Sequence, residues 1–183
     1  VPWQKLRSPT GHIALRPEDF AIKWFEDKSD RLIVFSVDAS GSSAAKRLGE
    51  VKGAVENLLA EAYSKRDHVA LIAFRKDGAE VLLPPTRSLV QAKRRLRALP
   101  GGGGTPLAAG LEAGFIMALA ARKKGMSPSM VLLSDGGANI ALDGKPGRPQ
   151  AQEDAEGIAR HFAAHNMPCL TIDTGRRPDA TLK

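Results

Sequence analysis

The sequence predicts an α/β fold, a mostly parallel central sheet with one antiparallel edge strand and helices on both faces. Three observations predict it. Two short apolar runs, Leu32 to Val37 and Met130 to Leu133, are strands buried on both sides, and each runs into an aspartate, Asp38 and Asp135. Helix-periodic stretches separate the apolar runs. A single tight-turn signal, Lys76-Asp77-Gly78, splits two further β-rich runs into a hairpin.

Taken in order, residues 44–65 carry Leu48, Val51, Val55, Leu58, Leu59 and Ala62 at offsets of 0, 3, 7, 10, 11 and 14, one stripe of a long helix. Val69 to Phe74 is a second strand, and Glu80 to Leu83 its antiparallel edge partner, which Pro84-Pro85 is expected to end. Ser88 to Leu99 reads as a short basic helix with Leu89, Ala92, Leu96 and Leu99 inward, stopped by Pro100 and the run Gly101 to Gly104. Thr105-Pro106 opens another helix, reaching about Lys124, with Leu107, Leu111, Gly114, Phe115, Ala118 and Leu119 on one face. A Gly- and Pro-rich loop then leads to a helix over about Ala151 to His165 and a last strand, Pro168 to Ile172. In such a fold crossovers are right-handed and ligands sit beyond the carboxyl ends of the strands, so Asp38 and Asp135 share one rim.

A length of 183 residues suits one domain: residues 31–183, preceded by a lead-in, residues 1–30, of no legible structure. The chain opens at Val1 and is expected to be part of a longer protein. Aromatic residues make up only 5%, so aliphatic side chains and alanine fill the interior. One cysteine, Cys169, excludes an internal disulfide and a Cys-rich zinc site and makes the cytoplasm the expected compartment; in its apolar strand it is expected to be buried. No run approaches the ~20 apolar residues of a membrane span.

The net charge is +7, and five basic residues, Arg87, Lys93, Arg94, Arg95 and Arg97, fall between Glu80 and Glu112 with no acid among them. That interval also holds no Phe, Trp or Tyr, so the stacking residues that single-strand binders interleave with basic ones are missing. Nucleic acid is not expected as a partner. The segment suits an acidic protein surface instead.

Asp38-Ala39-Ser40-Gly41-Ser42 sets one carboxylate and two hydroxyls on a strand-to-helix turn. Thr105 adds a hydroxyl after four glycines, and Asp135 a second carboxylate. Each alone has an ordinary reading: Ser42 as a helix N-cap, Thr105-Pro106 as a cap followed by proline, Asp135-Gly136 as a turn. Together they are five hard oxygen donors at one rim, a set suited to Mg2+ with a coordination position left open. An aspartyl-nucleophile phosphohydrolase requires a second acid two residues after the first, where this chain has Ser40. His161 and His165 lack the adjacent glutamate of a zinc protease and are expected at the surface.

Asp-x-Ser-x-Ser, then Thr, then Asp is the metal-ion-dependent adhesion site of the Rossmann-like von Willebrand A, or integrin I, domains, and the chain resembles that family at Asp38, Ser40, Ser42, Thr105 and Asp135. More narrowly, Val37 to Ser42, Leu59 to Tyr63, Val69 to Arg75, Leu83 to Leu89, Gly101 to Leu107, and Asp135-Gly136 with Ala138-Asn139-Ile140 resemble the C-terminal domain of magnesium chelatase D subunits; Gly137 stands where they usually carry arginine. The resemblance implies a protein-interaction domain without catalytic residues of its own. It would be joined in its parent to an AAA+ module, in the complex that inserts Mg2+ into protoporphyrin IX at the expense of ATP on the way to chlorophyll or bacteriochlorophyll. It implies Mg2+, with Mn2+ as a substitute, as a docking ion. It also implies two partners: the magnesium chelatase I subunit, an AAA+ ATPase, and the magnesium chelatase H subunit, which binds the porphyrin. A cobalt chelatase component or another adhesion module is the alternative within the fold, and an Mg2+-dependent phosphohydrolase a remote one outside it.

Overall fold

The computed structural model describes residues 30–40, 53, 56–98 and 101–175. Five strands, β1 (Arg31–Asp38), β2 (His68–Arg75), β3 (Gly78–Thr86), β4 (Ser127–Ser134) and β5 (Cys169–Asp173), form one sheet in the order β3-β2-β1-β4-β5. The helices are α1 (56–64), α2 (Leu89–Arg97), α3 (Leu107–Lys123) and α4 (Arg148–Ala164). All neighbouring strands are parallel except β2 and β3, which the two-residue turn at Lys76 and Asp77 closes into the expected hairpin. No described helix is long and apolar enough to cross a membrane.

The central strands alternate between two buried faces. Phe35 and Val37 of β1 join Leu71 and Ala73 of β2 and Val131 and Leu133 of β4 in a cluster with Leu59 and Ala62 of α1 and Ala92 of α2. On the other face, Leu32 and Val34 with Ile72 pack near Ala121 of α3, while Phe74, Met130 and Leu132 meet Leu107, Leu111 and Ala118 of α3 and Phe162 of α4. Both faces being covered is why these strands read as unbroken apolar runs. Of the predicted inward residues, Leu59 and Ala62 are buried, as is Ala92. Leu48, Val51, Val55 and Leu99, and the side chains of Leu89 and Leu96, lie outside the described residues.

The chain leaves β1 for β2 on one side and later crosses to β4 on the other, so the topological switch point lies between the carboxyl ends of β1 and β4. Asp38 and Asp135 flank it.

Three expectations are corrected. β3 does not stop before Pro84-Pro85 but runs through them to Thr86, with a register shift between Val69 and Ile72 of β2. An edge strand tolerates proline, since N–H groups on its outer side have no ladder to join, and the register shift interrupts the inner ladder at Pro84 and Pro85. β4 begins earlier than expected, at Ser127, and takes in Pro128, which sits at the strand start, before β5 pairing begins at Met130. Cys169 is exposed rather than buried, because β5 is itself an edge strand, and its neighbour Leu170 is 55% exposed. Partial desolvation still pushes the Cys169 thiol above its ordinary value.

α3 approaches the sheet closely because of Gly110. The buried Ser36 hydroxyl donates to the Gly110 carbonyl at 3.1 Å, and a Cβ at position 110 would overlap the Phe74 ring. At Gly114 a Cβ would meet only the Met130 thioether, at 2.7 Å, a flexible side chain that can turn aside. Gly110→Ala is therefore expected to cost about 1–3 kcal/mol by overpacking, read as a lower urea midpoint at unchanged slope, and Gly114→Ala to cost less.

Candidate metal centre

Parallel pairing brings Val37 opposite Leu133, which sets Asp38 level with Ser134 at the carboxyl end of the sheet. Both oxygens of the Asp38 carboxylate are held. The Ser40 N–H donates to Oδ1 at 2.8 Å, and the Ser134 hydroxyl donates to Oδ2 at 3.1 Å. The Ser40 and Thr105 hydroxyls lie 2.7 Å apart, although 65 residues separate them in sequence.

The glycine run delivers Thr105. The Gly102 N–H donates to the Ala39 carbonyl at 2.8 Å, stitching the loop to the turn that carries Ser40. Gly102 and Gly103 have φ of 116° and 100°, a region side chains disfavour, and a Cβ on Gly103 would lie 2.7 Å from Cγ of Lys76 in the hairpin turn. Thr105 itself is buried, 5% exposed, at the mouth of α3.

Asp135 follows β4 directly and is half-buried, its Oδ1 accepting from the Gly137 N–H at 3.2 Å. It is close enough to Asp38 for its charge to be felt there. Burial is the largest effect on Asp38 and pushes its carboxyl above the ordinary value; hydrogen bonding from Ser40 opposes this, the charge of Asp135 adds to it, and the Ser134 hydroxyl opposes it again. Two carboxylates near enough for one to act on the other at a partly desolvated rim, with the Ser40 and Thr105 hydroxyls beside Asp38, form an all-oxygen donor set. That chemistry fits a hard divalent cation. Of the five residues the sequence singles out, Asp38, Ser40 and Thr105 are joined by hydrogen bonds or hydroxyl contact, Asp135 lies near enough for its charge to act on Asp38, and Ser42 lies outside the described residues.

Sequence reasoning missed two residues here. Ser134, which orients Asp38, is an ordinary strand residue except that it precedes the second aspartate. Asn139 accepts from the Thr105 N–H at 2.7 Å through its Oδ1; the only signal was its place in the Ala138-Asn139-Ile140 stretch.

The basic segment is less uniform than its sequence. Arg87 pairs with Asp30 at 2.6 Å, and Asp30 precedes β1, at the end of the sheet opposite Asp38. Lys93 lies 4.0 Å from Glu56. Arg94 and Arg95 are exposed, and the side chain of Arg97 lies outside the described residues. His161 and His165 are at the surface as expected, tilted and edge-on against Phe115 with ring centroids 5.9 and 5.1 Å away.

Residues 33–138 match the von Willebrand factor type A domain family, more than half of the chain. The chain is 54% identical over its full length to the magnesium-chelatase 60 kDa subunit of Cereibacter sphaeroides, covering 33% of that protein, and 51% identical to that of Rhodobacter capsulatus, covering 34%. It therefore spans about a third of the length of these curated relatives. Among solved structures, the pilus adhesin SpaC from Lactobacillus rhamnosus GG in its open conformation superposes with a TM-score of 0.65 at 21% identity, over 81% of this chain and 24% of that one, a likeness of fold. The strand order and these matches bear out the resemblance read from the motifs: the chain belongs to the von Willebrand factor type A domain family and is similar to about a third of the magnesium-chelatase 60 kDa subunits.

Proposed function

We propose that this chain is a metal-dependent docking domain of a magnesium-chelatase subunit, with Asp38, Ser40, Ser42, Thr105 and Asp135 holding Mg2+, or Mn2+ in its place. The observation that carries the reading is the 2.7 Å contact between the Ser40 and Thr105 hydroxyls beside a carboxylate fixed at both oxygens. Bound there, the cation supplies an unfilled hard coordination position that an aspartate or glutamate of another molecule can enter. The side chains of this domain then have three tasks. Asp38 and Asp135 balance charge, Ser40 and Thr105 supply neutral donors, and Ser134 keeps Asp38 from turning away.

The partners in this reading are the AAA+ ATPase and the porphyrin-binding protein of the chelatase, met in the cytoplasm. The assembled complex, rather than this domain, carries out the ATP-dependent insertion of Mg2+ into protoporphyrin IX. The docking ion is distinct from the magnesium that is substrate. Support comes from the 54% and 51% identities to magnesium-chelatase subunits and from the all-oxygen donor set.

Asp38→Ala is expected to abolish the Mn2+ response of the domain in a calorimetric titration, and with it metal-dependent binding to the chelatase ATPase, while the circular dichroism spectrum stays as in the wild type. Binding that survives the substitution sinks the reading.

The Asp38 carboxyl sits above its unfolded value of 3.8. Its contribution favours the metal-free fold below that value and is lost as the pH rises through the raised one, so at neutral pH the ionised group is a net cost. Asp38→Asn is therefore expected to raise the melting temperature of the metal-free domain at pH 7, by a margin that narrows on acidification, and to erase the rise that Mn2+ gives the wild type. Melting curves with and without chelator, at pH 7 and pH 5, read both effects.

The exposed Arg94 and Arg95 are positioned to speed the approach of acidic surfaces. Arg94→Glu with Arg95→Glu is expected to slow association with the chelatase ATPase by roughly tenfold at low salt. The difference should fade at high ionic strength in stopped-flow traces. An equal association rate at low salt removes that role.

A further inference from the structure

We propose that Asn139 is a positioning residue for the metal centre. It binds no cation itself but clamps Thr105, and so ties the two loops that bring donors from α3 and β4 into one rigid piece. The proposal rests on the reading of the rim as a metal site. Three hydrogen bonds carry it. The Thr105 N–H donates to Asn139 Oδ1 at 2.7 Å, and the Thr105 carbonyl accepts from the backbone N–H groups of Asn139 at 3.2 Å and Ile140 at 3.4 Å. The backbone of one donor residue is thus gripped on both its polar groups by a segment that begins four residues after the other, Asp135.

The grip on Thr105 is seated from behind. The Asn139 carbonyl accepts from the Gly147 N–H at 2.9 Å, at the start of α4, and the Ile140 side chain lies so close to Gly104 that a Cβ there would come within 2.5 Å of it. Thr105 is buried, so removing Oδ1 takes from its N–H the partner it has in the fold. Its hydroxyl, by contrast, faces the Ser40 hydroxyl. The clamp therefore takes hold of the backbone and leaves the side-chain oxygen for a ligand. Partners in a metal site's outer shell act in this way, fixing a donor's orientation before the ion arrives.

Asn139 differs in kind from Ser134, which touches the carboxylate directly. Its effect has to pass through Thr105, and a double-mutant cycle can detect that. Asn139→Ala is expected to weaken Mn2+ binding by about 10- to 100-fold, measured by titration of the 183-residue chain followed by electron paramagnetic resonance. Asn139→Asp, which keeps the acceptor at the same atom, is expected to bind at least as well as the wild type. In a Thr105→Ala background, Asn139→Ala should cause no further loss. Independently of metal, hydrogen exchange of the Thr105 amide should accelerate at least tenfold in Asn139→Ala and stay slow in Asn139→Asp. Wild-type affinity in Asn139→Ala overturns the proposal while leaving the metal centre intact, as does a loss in Asn139→Asp equal to that in Asn139→Ala, or an additive loss in the double variant. A wild-type chain that fails to bind millimolar Mn2+ defeats the metal reading, and the positioning role with it.

Discussion

The placement of one carboxylate governs the rest. Asp38 sits where the central strand of the sheet meets solvent, and an ionised group there pays for desolvation unless its surroundings are polar and fixed. The register between β1 and β4 answers this by setting Ser134 beside it, and the tight turn after β1 answers it again through the Ser40 amide. With both oxygens engaged, the carboxylate has a defined direction. Everything brought in from elsewhere, the hydroxyl of Thr105 and the charge of Asp135, is arranged around that direction.

The parts that converge are of different kinds. β1 and β4 are neighbours by ladder pairing, so Asp38 and Asp135 meet through the architecture of the sheet alone. Thr105 has no such guarantee, because it follows a glycine run whose backbone is free to go elsewhere. Its place depends on contacts: the Gly102 bond to Ala39, the fit of Gly103 against the hairpin turn at Lys76, and the grip of Asn139. The glycines supply both the conformations and the clearance that those contacts demand, since two of them have positive φ and a side chain on the second would strike Lys76. A flexible composition here yields a specified loop.

Much of this was legible in the sequence alone. Apolar runs ending in aspartate marked β1 and β4, helical spacing marked α3, and the turn at Lys76-Asp77 marked the hairpin, because each signal is local and periodic. The set of Asp38, Ser40, Thr105 and Asp135 was legible because parallel α/β topology sends strand ends to a common rim. Other features were not. The strand through Pro84 and Pro85 was hidden because proline is tolerated at a sheet edge and at a register shift, and both are properties of the whole sheet. The exposure of Cys169 was hidden for the same reason, since an apolar strand looks alike at the centre and at the border. Ser134 and Asn139 escaped because their roles lie in partners distant in sequence, which no periodicity announces.

The two prolines of β3 carry a consequence for how such a domain can associate. Neither Pro84 nor Pro85 has an N–H to give, so this stretch of β3 offers no donor on its outer border. A foreign strand laid along that border would find its ladder interrupted there, with acceptors opposite nothing that can donate. Copies of the domain crowded side by side in an assembly are thereby discouraged from zipping together through this margin of the sheet.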